Sequence, residues 1–272
     1  MVRVSFQGER GAYSEEAALR FFGSITEFLP LPYLSDVFRS VEDGRADYAI
    51  VPIENSLEGS VNETIDLLLV SSVNIVGESI LRIRHCFMIH PDAREEDIRE
   101  AWSHPQALSQ CRRFIESMKL RPVPFYDTAG SAKAIKEMRK LDAGAIASCR
   151  AAEFYGLKVV REGIEDSENN YTRFIVLGRT APERRQRSKT SLIFGTRHSP
   201  GSLYRALKVF ADHSINLTKI ESRPTKTTPW EYYFFVDLVG HVSDPEVSEA
   251  LEELKKVTTF IKVLGSYPAE LV

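Results

Sequence analysis

The chain carries no excess of charge of either sign. Its 35 Lys and Arg stand against 38 Asp and Glu, a formal net charge of −3, so no global basic field points to nucleic acid. Cysteine is scarce. Cys86, Cys111 and Cys149 lie far apart without CxxC spacing, which reads as reduced thiols in a cytoplasmic protein. The six histidines form neither an HExxH pattern nor an i, i+4 pair, so no metal site is expected. No apolar run nears the roughly 18 residues of a membrane span. Residues 1–6 read as a strand and not as a signal peptide. These absences favour a cytoplasmic protein, without nucleic-acid or membrane partner, that acts on a small molecule. At 272 residues there is room for two domains of roughly 100–200 residues each.

What is present is an α/β alternation. A strand over 2–6 leads through a loop with Gly8 and Gly11 to a helix, which Ser14 suits as N-cap with Glu15 and Glu16 in the first turn. A strand, a glycine loop and a helix start make a possible anion site, but the spaced glycines of a dinucleotide fingerprint are missing. Residues 25–31 read as a second strand, followed by a helix capped by Ser35 and stopped by Gly44. Residues 47–53 form a third, buried strand. Pro52 cannot donate to a ladder, so the strand is expected to end there. Glu54, Asn55 and Ser56 follow in succession, and Ser60 or Asn62 can cap the next helix. Polar side chains at a strand end before a helix mark a ligand site of open α/β sheets, or a solvated turn.

The same grammar repeats. A short strand over 101–104 precedes Pro105 at a first helical position, which puts Gln106 at the helix mouth. A strand over 123–126 leads through Asp127 and Ser131 into a helix reaching 140. A strand over 144–148 ends at Ser148 before the helix 150–155. Two such lobes leave a cleft lined by polar strand ends. Residues 165–170 read as a loop, and Thr172 opens the strand that follows, a position that β-propensity alone explains. The basic run 183–189 reads as a solvated linker. From residue 190 the order becomes βαββαβ, a ferredoxin-like unit of a kind that often pairs into homo-oligomers.

Taken together, Val51-Pro52-Ile53-Glu54-Asn55-Ser56, Glu58-Gly59, His104-Pro105-Gln106-Ala107-Leu108, Thr172-Arg173-Phe174 and Glu221-Ser222-Arg223-Pro224 resemble the motifs of prephenate dehydratases with a C-terminal ACT regulatory domain. The resemblance covers essentially the whole chain. It departs where the family's Gly-Ala-Leu-Val-like stretch stands as Gly201-Ser202-Leu203-Tyr204, which bears on effector selectivity. It implies a catalytic part over 1–182, similar to periplasmic binding proteins, with lobes of roughly 1–78 plus 160–182 and 79–159. A linker over 183–189 and an ACT domain over 190–272 would follow. It implies conversion of prephenate to phenylpyruvate, water and carbon dioxide without a cofactor, feedback inhibition by L-phenylalanine, and a homodimer or homotetramer.

By the same resemblance, Thr172, Glu54, Asn55 and Gln106 are catalytic, with Thr172 or Glu54 the proton donor. Ser56, Arg173 and Phe174 bind substrate, although Arg173 also suits a brace for the loop and Phe174 a core or cleft wall; from their positions, helix-mouth amides near Ser14, Ser131 and Ser148 are expected to hold the pyruvyl carboxylate. Gly201, Leu203, Asn216, Leu217, Glu221, Ser222, Arg223 and Pro224 bind the effector. Mostly neutral polar groups suit this substrate, because a strong cation on the departing carboxylate would stabilise the ground state more than the transition state. Arogenate dehydratase, and a non-catalytic sensor of a small acid on the same fold, are the alternative readings.

Overall fold

The structure is a computed structural model that describes residues 1–24, 26–184, 187–228 and 230–270. Ile25, the expected start of the second strand, Arg185 and Gln186 of the expected linker, and residues 271–272 lie outside them. Among the described residues, no helix is long and apolar enough to cross a membrane.

The first sheet is built from β1 (Val2–Gln7), β2 (Thr26–Leu31), β3 (Tyr48–Asn55), β4 (Gly59–Ser60) and β5 (Asn74–Arg82), with helices α1 (Tyr13–Phe22), α2 (Leu34–Glu42) and α3 (Asn62–Val70) between them. The chain then crosses to a second sheet. There it forms β6 (Cys86–Ile89), β7 (Glu100–Ser103), α4 (Pro105–Gln110), α5 (Arg112–Ser117), β8 (Arg121–Pro124), α6 (Thr128–Glu137), β9 (Ala143–Ala147), α7 (Cys149–Tyr155) and β10 (Lys158–Glu162). It returns as β11 (Tyr171–Gly178), which enters the first sheet between β3 and β5. The first sheet runs β2-β1-β3-β11-β5 and the second β10-β6-β9-β7-β8. Each sheet contains a reversed strand. β11 is antiparallel to β3 and β5, and β6 to β9 and β10. These are the strands that follow the two crossings, where the chain arrives from the other lobe. The crossings fall at 83–85 and 163–170, after β5 and β10 have completed their pairing.

The third sheet comprises β12 (Ser188–Gly195), β13 (Leu217–Pro224), β14 (Tyr232–Val239) and β15 (Phe260–Pro268), with helices α8 (Ser202–Asp212) and α9 (Pro245–Val257). Its order β13-β14-β12-β15, with antiparallel pairing throughout, is that of a ferredoxin-like βαββαβ unit. One face carries α8 and α9 through Leu192, Phe194, Val236 and Leu238. The other face shares a core with the first sheet, where Ile193, Phe235 and Leu264 meet Val51, Ile75 and Ile175. The approach is backbone on backbone. Gly265 has φ +153°, and a Cβ placed there would lie 2.1 Å from the carbonyl oxygen of Ile75.

The first sheet is therefore covered on both faces. Along β11, Phe174 and Val176 belong to the core shared with the second lobe, whereas Ile175 and Leu177 belong to the core shared with the third sheet. Period-two alternation then sends Thr172 toward the second lobe and Arg173 toward the third sheet.

Several local expectations are corrected. β3 does not end at Pro52 but continues to Asn55. Its pairing with β11 shifts between Phe174↔Pro52 and Arg173↔Glu54, which leaves Ile53 as the extra residue of a β-bulge, a place where proline is tolerated. Gly59 stands in β4, paired back on Asn55 of β3. The N-caps of α1, α2 and α3 are Ala12, Tyr33 and Val61, none with a side-chain cap, so Ser14, Ser35, Ser60 and Asn62 do not serve as caps. Cys86 and Cys149 are joined by a disulfide with Cα atoms 5.4 Å apart, and only Cys111 is free. Their separation of 63 residues hid a short route in space. Cys86 pairs with Ala147 across β6 and β9, two residues before Cys149 opens α7.

Candidate active site

A cavity of about 390 Å³ opens between the lobes. The first lobe supplies Ser14 from the start of α1, Asn55 from the end of β3, and Thr172 and Phe174 from β11. The second lobe supplies Gln106 from α4 and Thr128 from α6. The bulge at Ile53 decides which side chain of β3 takes part. Unbroken alternation from Ile50, which faces the second lobe, would carry Glu54 to the cavity and Asn55 away from it. The extra residue reverses the parity, so Asn55 stands beside Thr172 and Glu54 beside Arg173.

Asn55 is held at both ends of its amide. Its Oδ1 accepts the backbone N–H groups of Leu57 and Glu58 at 3.0 and 3.1 Å. Its Nδ2 donates to Thr172 Oγ1 at 3.0 Å, to Asn170 Oδ1 at 2.8 Å and to the Tyr171 carbonyl at 3.1 Å. Because Thr172 Oγ1 accepts from Asn55, its own proton is left for another acceptor. Gln106 lies at the mouth of α4 as its spacing predicts, after His104, whose Nδ1 accepts the Gln106 N–H at 3.3 Å.

Five expected residues lie elsewhere. Glu54 turns to the third sheet, where it pairs with Lys219 at 2.5 Å and Arg173 at 3.5 Å. Burial acts to raise its pKa, but the Arg173 and Lys219 charges outweigh that and hold the carboxyl below the usual range, so it stays ionised. Arg173 is buried against Asp237 at 2.6 Å and Glu78 at 3.2 Å and faces away from the cavity. The Ser56 hydroxyl donates to the Asn169 carbonyl at 2.7 Å and accepts the Tyr171 N–H at 2.9 Å, bracing the loop. Ser131 turns back on the Thr128 carbonyl at 2.6 Å. Ser148 caps α7 and donates to the Gly11 carbonyl at 2.5 Å. A helix-start serine bonded to its own turn is not available to a guest.

Other residues that were not foreseen line the cavity: Tyr13, His85, Gln110 and Asp127. Gln110 was accessible to reasoning, since it stands four residues after Gln106 on the same helical face. Asp127 was accessible as the N-cap of α6, accepting the Gly130 N–H at 2.6 Å. Burial, against that hydrogen bond, raises its pKa. Tyr13 and His85 left no mark in the spacing. None of the described side chains lining the cavity is a lysine or an arginine. No group of three or more His, Cys, Asp or Glu side chains among the described residues could hold a metal ion.

The effector positions divide by strand parity. Glu221 accepts from Ser60 at 2.8 Å, and Arg223 makes a two-point bond to Asp66 of α3 at 3.0 Å for each contact. Both thus face the first lobe. Leu203, one residue into α8 after Gly201 as N-cap and Ser202, lines a separate cavity of about 150 Å³ beside Tyr232 and Phe234.

The family model for prephenate dehydratase matches residues 4–182, and that for the ACT domain matches 190–256. The bifunctional chorismate mutase/prephenate dehydratase of Aquifex aeolicus is 43% identical over 272 residues, which is 100% of this chain and 75% of that protein. The chloroplastic arogenate dehydratase/prephenate dehydratase 1 of Arabidopsis thaliana is 41% identical over 100% of this chain and 73% of its own. The solved prephenate dehydratase of Arthrobacter aurescens, in complex with L-Phe, is 32% identical with a TM-score of 0.91, over 98% of this chain and 90% of that one. With the cavity set between two α/β lobes and a ferredoxin-like unit behind them, the chain belongs to the prephenate dehydratase family and carries a C-terminal ACT domain.

Proposed function

We propose that this chain converts prephenate to phenylpyruvate, water and carbon dioxide, and that L-phenylalanine bound at the ACT domain restrains it. The observation that carries the reading is the bond from Asn55 Nδ2 to Thr172 Oγ1 at 3.0 Å, in a cavity with no lysine or arginine among its described lining residues. Hydroxide leaves poorly, so a proton must arrive as the C–O bond breaks. Thr172, already accepting from Asn55, directs its hydroxyl proton at the departing oxygen and recovers one through solvent. As that bond breaks, the ring carboxylate leaves as carbon dioxide, and the electrons of its C–C bond enter the ring, which becomes aromatic. Gln106 and Ser14 orient the dianion with neutral donors. None of the described lining residues is a lysine or arginine that would clamp the carboxylate that must leave, so the ground state is not held below its route to the transition state.

Arogenate, with an ammonium where prephenate has a keto group, is the second reading. Glu63 and Asp127 place two carboxylates on the cavity, and the Arabidopsis relative is named for both activities. Regulation follows from linkage, since phenylalanine inhibits only by preferring a form that binds substrate less well. The enzyme is read as a cytoplasmic homodimer or homotetramer. The deciding experiment is turnover of each substrate by the purified chain, followed by the absorbance of the aromatic product, with and without phenylalanine. No product from either substrate would refute the assignment.

A further inference from the structure

The hydrogen order around the cavity can be read from a single fixed point. Two backbone N–H groups, of Leu57 and Glu58, point at Asn55 Oδ1. That settles which end of the amide is oxygen, so it is Asn55 Nδ2 that meets Asn170 Oδ1 at 2.8 Å. Asn170 must then offer Nδ2 to Gln110 Oε1 at 2.9 Å. The same Gln110 oxygen faces His85 Nε2 at 3.0 Å. A carboxamide oxygen has no proton to give, so His85 Nε2 carries the hydrogen. Burial lowers the His85 pKa, so the ring is neutral and Nδ1 bears the lone pair. The Tyr13 hydroxyl has one proton, shared in a three-centre bond between Nδ1 at 2.8 Å and the Arg84 carbonyl at 2.9 Å.

His85 occupies the place where such an order has most effect. It lies in the first crossing between the lobes. Its main chain is stitched to the second crossing by its N–H to Glu165 Oε2 at 2.9 Å and by the Ile164 N–H to its carbonyl at 3.2 Å. Its ring reaches Tyr13 of α1 on one side and Gln110 of α4 on the other. With the Gln110 oxygen taken by His85 and Asn170, its Nε2 is turned away, buried and without a hydrogen-bond partner among the described residues. We propose that His85, clamped by Tyr13, is a positioning residue for the reaction. Its Nε2–H fixes the Gln110 amide and, with Asn170, holds from the lobe junction the far end of the row that Asn55, oriented by its own backbone donors, opens at Thr172. The catalytic part of this proposal rests on the dehydratase reading, whereas the hydrogen order does not.

The experiment therefore has a readout that needs no turnover. The ¹⁵N spectrum of the full chain with ring-labelled histidine, the His85 signals assigned by their loss in His85→Gln, is expected to show a neutral Nε2–H tautomer at neutral pH. A neutral Nδ1–H ring or a charged ring overturns the proposal. Kinetics then test the role. His85→Gln keeps an amide donor near the Nε2 position, and His85→Asn keeps a polar group only near Nδ1. His85→Asn is expected to lose about 10- to 100-fold in kcat with KM within about threefold, while His85→Gln stays within about threefold of native. Equal losses in the two variants overturn the proposal. Tyr13→Phe, which deletes one oxygen and spares the ring of His85, is expected to lower kcat by about 3- to 10-fold with KM unmoved. A native kcat in Tyr13→Phe also overturns the proposal.

Discussion

Thr172 and Arg173 are consecutive in β11 and serve opposite faces of one sheet. The Thr172 hydroxyl accepts from Asn55 in the cavity at 3.0 Å, and the Arg173 guanidinium reaches Asp237 of the third sheet at 2.6 Å. One peptide unit thus joins the hydroxyl proposed as proton donor to the ionic contact with the ACT domain.

Thr172→Ala is expected to lower kcat by about 10²- to 10⁴-fold, the usual weight of a positioned proton donor. Thr172→Ser, which keeps the hydroxyl, should retain more of the rate than Thr172→Ala. Product absorbance under saturating prephenate measures both. A native rate in the alanine variant would remove Thr172 from the chemistry.

Asn55→Asp preserves an acceptor for the Leu57 and Glu58 N–H groups but replaces the donor to Thr172 with a second acceptor. The Thr172 proton then turns to the new carboxylate and away from substrate. Expected is a loss of kcat of about 100-fold or more, with a folded protein by circular dichroism. Activity close to native would show that the direction of this hydrogen bond does not matter.

Glu54→Gln should leave kcat within about threefold of native, and the acid limb of its pH profile in place, because Glu54 is ionised and faces the third sheet. Rate measurements across the pH range on both proteins check this. An acid limb that disappears with Glu54 would return it to the role of proton donor.

Asp66 receives Arg223, Lys226 and Tyr233 on one carboxylate. Burial opposes its ionisation, but these donors hold its pKa well below the ordinary range. A carboxyl depressed in the folded state adds stability that is present above its unfolded pKa, near 3.9, and is lost as pH falls through the folded value. Asp66→Asn should therefore cost roughly 1–3 kcal/mol at neutral pH, and the difference should narrow steadily below about pH 4. Urea midpoints of both proteins at several pH values test it. A difference that does not change with pH would contradict the assignment.

Arg173→Met should destabilise the fold by about 3–5 kcal/mol, because it leaves the buried carboxylates of Asp237 and Glu78 short of a cation. Arg173→Lys should recover only part, since one ammonium cannot reproduce the guanidinium fork. Denaturant unfolding measures both. Full recovery by lysine would mean that charge alone, without geometry, holds this contact.

The order of strands and helices was legible because hydrophobic runs and helix starts are local signals. Gln106 and Ser14 at the cavity followed from helix mouths, whereas Thr172 and Asn55 were singled out by the resemblance, because a strand end alone also suits a structural threonine or a solvated turn. What escaped was parity. Nothing in the composition around Pro52 announces that Ile53 is an extra residue, and that single residue exchanges Glu54 for Asn55 at the cavity. Ser131 and Ser148 were misplaced because a serine at a helix start satisfies its own turn first. The disulfide and the Tyr13–His85–Gln110 row join residues distant in sequence, and only packing brings them together.

The lining of the cavity also governs how a guest arrives. With neither lysine nor arginine among the described residues of its walls, the proposed guest, a doubly anionic ring, would be gripped by the direction of neutral dipoles and not drawn in by a positive field. Mobile ions screen charge but do not reorient dipoles. Glu63 and Asp127 stand on the same wall, so added salt, by screening their repulsion of a dianion, should ease its capture rather than weaken it, and KM measured against ionic strength should fall or hold level.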